Sequence, residues 1–155
     1  MAWKYCQSTG QLYHEGELIA TGYSGHGDGK NCSAMQDKHN VGPLPRGVYA
    51  IGKPHDTTSH GPFVMALMPF GPPPEWNPSE EERAEYDRLN QPEHLAGILS
   101  GALAKFSWMF GRDGFLIHGD SIVHTGQASQ GCIILPRSIR EQIAASEDDE
   151  LEVTV

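Results

Sequence analysis

The sequence predicts a mainly β domain, a sandwich or barrel with a small helical insertion and a short helix near the C-terminus. Two observations carry this. About seven or eight short runs of strand type are punctuated by Gly, Pro and Ser turn signals, and helical periodicity is confined to about residues 71–110 and 137–146. The length of 155 residues suits one domain over residues 1–155, and a chain of that size buries roughly 70% of its unfolded surface.

Residues 3–6, 11–14 and 17–23 read as strands split by Ser8-Thr9-Gly10 and His14-Glu15-Gly16, a β-meander. Residues 25–40 form a polar, Gly-rich loop carrying His26, Cys32 and His39. These lack paired spacing of zinc type, so neither a metal nor another cofactor is expected. Gly42-Pro43-Leu44-Pro45-Arg46-Gly47 cannot be helical, because its prolines lack amide donors and restrict the residues before them. It is a stiff turn into a strand over 48–52, and residues 63–70 give another strand.

Gly71-Pro72-Pro73-Pro74 breaks the sheet, and Ser79-Glu80-Glu81-Glu82 is a capping-box start for a helix to about Leu89, with acid where the helix dipole favours it. A second helical stretch over about 92–105 puts Leu95, Ile98, Leu99 and Leu103 on one face. The pair either covers the core or rims a substrate groove as a lid. Residues 115–117 and 133–135 read as strands, 137–146 as a helix and 151–155 as a closing strand.

Eleven Lys and Arg against 20 Asp and Glu give a net charge of −9, which argues against a nucleic-acid partner held through phosphates. The acidic runs Glu80-Glu81-Glu82 and Glu147-Asp148-Asp149-Glu150 read as solvated faces. No apolar run reaches membrane-spanning length, and the start Met1-Ala2-Trp3-Lys4-Tyr5 has no signal-peptide character. Synthesis in the cytoplasm without use of the general export pathway is expected. The three cysteines, Cys6, Cys32 and Cys132, are an odd set that leaves at least one free thiol.

The densest chemistry lies between Phe115 and Pro136. An apolar run delivers His118 to Gly119, and a polar loop leads to Ser129-Gln130-Gly131-Cys132 before a second apolar run. A cysteine attacks carbonyls as thiolate, which at neutral pH calls for an imidazole or another cation to take or offset its proton. His118 is the candidate base and Cys132 the candidate nucleophile. Gly131 permits a tight turn that could aim its own amide and that of Cys132 at a developing oxyanion. Ser129 could orient His118 or bind substrate. The plain alternative is a buried small cysteine beside Ile133, Ile134 and Leu135, with His118 a satisfied histidine. The coincidence of His-Gly at one strand end and Ser-x-Gly-Cys before another favours catalysis, because function gathers on loops mounted on rigid scaffolds.

These residues resemble the signature of L,D-transpeptidases of the YkuD type, in which a His precedes a Ser/Thr-His-Gly-Cys block. Tyr23-Ser24-Gly25 to Asn31, with Gly42-Pro43-Leu44-Pro45-Arg46-Gly47-Val48-Tyr49-Ala50-Ile51-Gly52, is similar to segments of the small transpeptidase-like effectors of type VI secretion. The resemblance covers nearly the whole chain except about residues 71–110. It implies a YkuD-like β-sandwich or barrel, a Cys132 nucleophile with His118 as base, and substrate contacts from Gly119, Gln130 and Arg46. It also implies peptidoglycan tetrapeptide stems as substrate, a cognate immunity protein as partner, and action in a target cell's periplasm. Gln130 stands where most transpeptidases have His, Ile134 where they have Asn, and the loop from His118 to Cys132 is short.

Three readings of function follow. The first is an L,D-carboxypeptidase or L,D-transpeptidase that releases or exchanges terminal D-alanine. The second is a noncatalytic wall-binding or phage-borne structural module of the same fold. The third, a zinc hydrolase using His118, His124 and Cys132, lacks a carboxylate base at a recognisable spacing.

Overall fold

The computed structural model describes residues 2–91 and 102–155. Alternation sets its first strands. In β1 (Trp3–Cys6) Trp3 and Tyr5 point into the core and Lys4 outward, and β2 (Gln11–His14) and β3 (Glu17–Thr21) complete an antiparallel meander. β4 (Tyr23–Ser24) follows after one residue, then β5 (Gly47–Ile51), β6 (His55–Thr57) and the long β7 (Gly61–Gly71). Three strands close the list: β8 (Leu116–His118), β9 (Ile133–Ile134) and β10 (Glu150–Thr154). β6 carries no apolar alternation, which is why the sequence did not announce it.

All ten belong to one mixed sheet ordered β3-β2-β1-β10-β5-β7-β8-β9-β4, with β6 added to β7. β1 with β10 and β8 with β9 are parallel; the other pairs are antiparallel. The two ends of this path, β3 and β4, are separated in sequence by Gly22 alone, so the sheet curls round on itself as a barrel-like body. Gly22 sits at the closure. Its amide donates to the Gly10 carbonyl at 2.8 Å, and a Cβ there would lie 2.1 Å from the Ile134 carbonyl oxygen, so only glycine lets the ends approach.

α1 (Glu80–Leu89) starts where the capping box places it, with Ser79 Oγ accepting the Glu82 amide at 3.1 Å. Most of the second stretch expected to be helical, about 92–105 with Leu95, Ile98 and Leu99, lies outside the described residues; within it Ala102–Lys105 is a 3-10 turn that buries Leu103. Leu103, Phe106, Trp108 and Met109 are buried in the main core with Trp3, Tyr5, Ile117 and Ile133. Trp76 and Tyr86 lie edge-on to Phe106 and Trp108, with ring centroids 4.9 to 6.2 Å apart. The described part of the insertion is thus core cover. α2 (Arg137–Ala145) follows Pro136 and buries Arg140 and Ile143.

Candidate active site

The pairing of β8 and β9 builds the site. Ile117 faces Ile133 and His118 faces Ile134 in parallel register, and the Leu135 amide donates to the His118 carbonyl at 3.0 Å. Cys132 stands two residues before Ile134. Cys132 thus immediately precedes β9, His118 ends β8, and the pairing of the two strands brings the residues together. Both line one cavity of about 890 Å³, together with Gly119, Gln130, His60 and Arg140.

His118 is 3% exposed. Its Nδ1 lies 2.8 Å from the Gly119 carbonyl, an acceptor only, so Nδ1 carries the proton. That leaves Nε2 as the basic lone pair, and Nε2 is buried with no hydrogen-bond partner among the described residues. Burial pushes the His118 pKa below its ordinary value; the Gly119 hydrogen bond opposes this, while His60, whose ring centre lies 4.7 Å away, and Arg140 reinforce it. The imidazole is therefore neutral at neutral pH, the form a base requires.

Cys132 is half-buried. Burial raises its thiol pKa above the ordinary value, and a backbone hydrogen bond from Leu116 and the charge of Arg112 offset this only in part. The resting pair is a neutral thiol and a neutral imidazole. Proton transfer must then accompany attack, unlike the preformed thiolate that a cation beside the sulfur would give.

Ser129 is fully buried and spends all its hydrogen-bonding capacity on the loop. Its hydroxyl donates to the Cys132 carbonyl at 2.6 Å and accepts from the Gly25 amide at 2.9 Å and the Gly131 amide at 3.1 Å. It therefore staples the Cys132 loop to the barrel and reaches neither His118 nor the cavity. The Gly131 amide, expected to face an oxyanion, is the one given to Ser129. Gly131 itself has φ +129°, and a Cβ there would lie 2.6 Å from Arg112 Nη2 and 2.7 Å from Phe115 Cε1.

Arg46 is not brought to this cavity. It lines a separate cavity of about 240 Å³ and pairs with Glu75 at 3.2 Å. None of the described residues between 71 and 110 lines the His118–Cys132 cavity, so the lid expectation is not met by them.

Several residues to which the sequence assigns no role shape the site. Arg112, 4% exposed, donates to the carbonyls of Gln36, Pro43, Gly42 and Gln130, tying the proline turn to the Cys132 loop. Tyr23 donates to Asp120 Oδ1 at 2.6 Å and accepts from the Ala128 amide at 2.9 Å. Asp120 in turn accepts from the amides of Ser121 and Gly126, which fixes both ends of the loop between His118 and Cys132. Its two-residue spacing from His118 was the one signal that could have drawn notice.

Among the described residues no helix is long and apolar enough to cross a membrane. No curated protein and no solved structure gives a match. A family model, the Tlde1 domain, matches residues 19–154, which takes in every strand from β4 to β10, both helices and all the residues of the cavity. With that span covering most of the 155 residues, the chain belongs to the Tlde1 domain family of type VI secretion effectors.

Proposed function

We propose that this effector is a peptidoglycan-modifying cysteine enzyme acting on tetrapeptide stems as an L,D-carboxypeptidase and L,D-transpeptidase. The observation that carries the reading is the neutral His118 with its buried, unpartnered Nε2, in one cavity with the half-buried Cys132 thiol. An unpaired lone pair in a buried site costs about 1–3 kcal/mol, a cost that a structural histidine would have relieved with a donor. In a resting enzyme it is the acceptor for the thiol proton.

In the proposed reaction His118 Nε2 takes the Cys132 proton as sulfur attacks the carbonyl that precedes the terminal D-alanine. Collapse of the tetrahedral intermediate breaks the peptide bond, His118 returns its proton to the leaving amine, and D-alanine departs from a Cys132 thioester. Water then gives the tripeptide. An amine gives a cross-link or, when it is a free D-amino acid, an exchanged terminus. The wide cavity and the presence of Gln130 and Ile134 in place of His and Asn favour access by water, so hydrolysis is a substantial outcome.

The enzyme acts in the target cell's periplasm as an antibacterial toxin, and its producer holds a cognate immunity protein that blocks the cavity. Mass spectrometry of purified protein with disaccharide tetrapeptide is the test. Tripeptide and D-amino acid exchange are the expected products. Unchanged tetrapeptide under reducing conditions, with no acyl adduct on Cys132, would leave the noncatalytic wall-binding module as the better reading.

A further inference from the structure

Arg140 has one guanidinium nitrogen, Nη2, unspent beside the site. It sits on α2 and is 6% exposed. Nε donates to the Leu135 carbonyl at 3.1 Å, and Nη1 donates to the carbonyls of Pro62 and Phe63 at 2.9 and 2.8 Å. Nη2 donates to no described residue. Nor is it among the buried polar atoms left without a partner, so it keeps access to solvent, and it lies beside Gly119, which lines the same cavity as Arg140.

Its position is defined by Gly119, where a Cβ would lie 2.8 Å from Nη2. Gly119 is also the residue whose carbonyl fixes the His118 tautomer. The free edge of the guanidinium is thus one residue from the base. Arg140 is the only Arg or Lys among the described residues lining the cavity. Its helical neighbour Glu141 is held by Arg137 at 2.9 Å, and Asp120 is taken up by Tyr23 and loop amides. A buried cation held rigidly by three carbonyls, with two N–H groups unspent beside an open cavity, is a built receptor for an oxyanion.

The geometry points to Arg140 as a carboxylate-binding residue that engages the free C-terminal carboxylate of the acyl donor. The identity of that donor as a D-alanine-terminated stem rests on the proposed function; the anion site does not. A carboxylate held there sets the adjoining peptide bond beside His118 and restricts cleavage to the last residue of a chain. The leaving D-amino acid, and any D-amino acid that replaces it, use the same contact.

Alkylation of Cys132 by two reagents of nearly one size tests this without requiring turnover. Iodoacetate carries a carboxylate and iodoacetamide a neutral amide; with each, the sulfur displaces iodide. With Cys6 and Cys32 replaced by Ser, Cys132 should react with iodoacetate in preference to iodoacetamide, and Arg140→Gln should lower that preference about tenfold, with Arg140→Lys retaining part of it. An unchanged ratio in a folded Arg140→Gln protein overturns the assignment. Should that variant not fold, protection of Arg140-bearing protein decides: D-alanine should slow iodoacetamide labelling and D-alaninamide should not, and equal protection by both overturns it. Preference for iodoacetate with inert tetrapeptide would retain the anion site and reject the proposed substrate.

Discussion

Ser129 donates its hydroxyl proton to the carbonyl oxygen of Cys132 at 2.6 Å, within a side chain that also accepts two amides from the surrounding loops. The serine of the Ser-x-Gly-Cys block therefore acts on the backbone that carries the thiol. Ser129→Ala leaves the amides of Gly25 and Gly131 and the Cys132 carbonyl unpartnered in a buried setting, an expected cost of about 2–5 kcal/mol. Urea unfolding should show that loss. Turnover should fall while the pH at which activity is lost in acid stays where it was, since Ser129 does not touch His118. A displaced acid limb would instead assign Ser129 to the base.

Cys132→Ala and His118→Ala are each expected to reduce tripeptide release by about 10³-fold or more, and the double variant to lose little further, because members of a catalytic unit are not additive. Cys132→Ala should leave the melting temperature within about 4 °C of the parent, as removal of one half-buried sulfur is worth about 1 kcal/mol. Cys6→Ser and Cys32→Ser should stay active, since neither cysteine lines the cavity. Activity lost in Cys32→Ser alone would move the nucleophile.

Phe106 is buried in the main core, stacked on Trp108 with ring centroids 5.3 Å apart, and neither residue lines the His118–Cys132 cavity. Phe106→Ala should cost about 3–5 kcal/mol and leave the turnover of the folded fraction near that of the parent. Altered product distribution with unchanged stability would restore the lid reading of the insertion. Calorimetry and product analysis on the same preparation separate the two.

The strands were legible where apolar residues alternate, as Trp3 and Tyr5 do in β1, and the start of α1 was legible in Ser79 and Glu82 because capping is local chemistry. β6 was not, since His55-Asp56-Thr57 is held to β7 by backbone pairing and by polar bonds of Asp56 and Thr57 to Phe63 and Gly61, none of which leaves an apolar alternation. At the site, His118 and Cys132 could be matched from the strands that carry them. The parallel pairing that brings the two together is not written in either strand. Arg140 and Arg112 lay beyond reach for a related reason: each acts through carbonyls distant in sequence, Pro62 to Arg140 and Gly42 to Arg112, and a lone arginine has no local pattern to announce such bonds. Arg46 was drawn in by its place in the proline turn, but the turn aims it at Glu75.

The pH dependence of the reaction follows from the surroundings of His118 and Cys132. Burial first, and then His60 and Arg140, lower the His118 pKa beneath the ordinary 6.5, so the base remains deprotonated into mild acid. The rate should therefore hold below pH 6.5 and fall only as pH drops through the depressed value. His60→Asn removes one of the charges that resist protonation, so it should move this acid limb upward, toward the ordinary histidine value. The same shift bears on stability with a fixed sign: below pH 6.5 the unfolded chain takes up a proton at this residue before the folded one does, so stability is lost from that pH downward. At the alkaline end Cys132, whose pKa is raised by burial, keeps its proton longer in the folded state, so folding loses stability as pH rises past the ordinary thiol value of 9.0. A pH–rate profile read beside iodoacetamide labelling of Cys132 checks the pair. Labelling that already plateaus near neutrality would mean a preformed thiolate and imidazolium, and would reject the neutral resting pair on which the attack step rests.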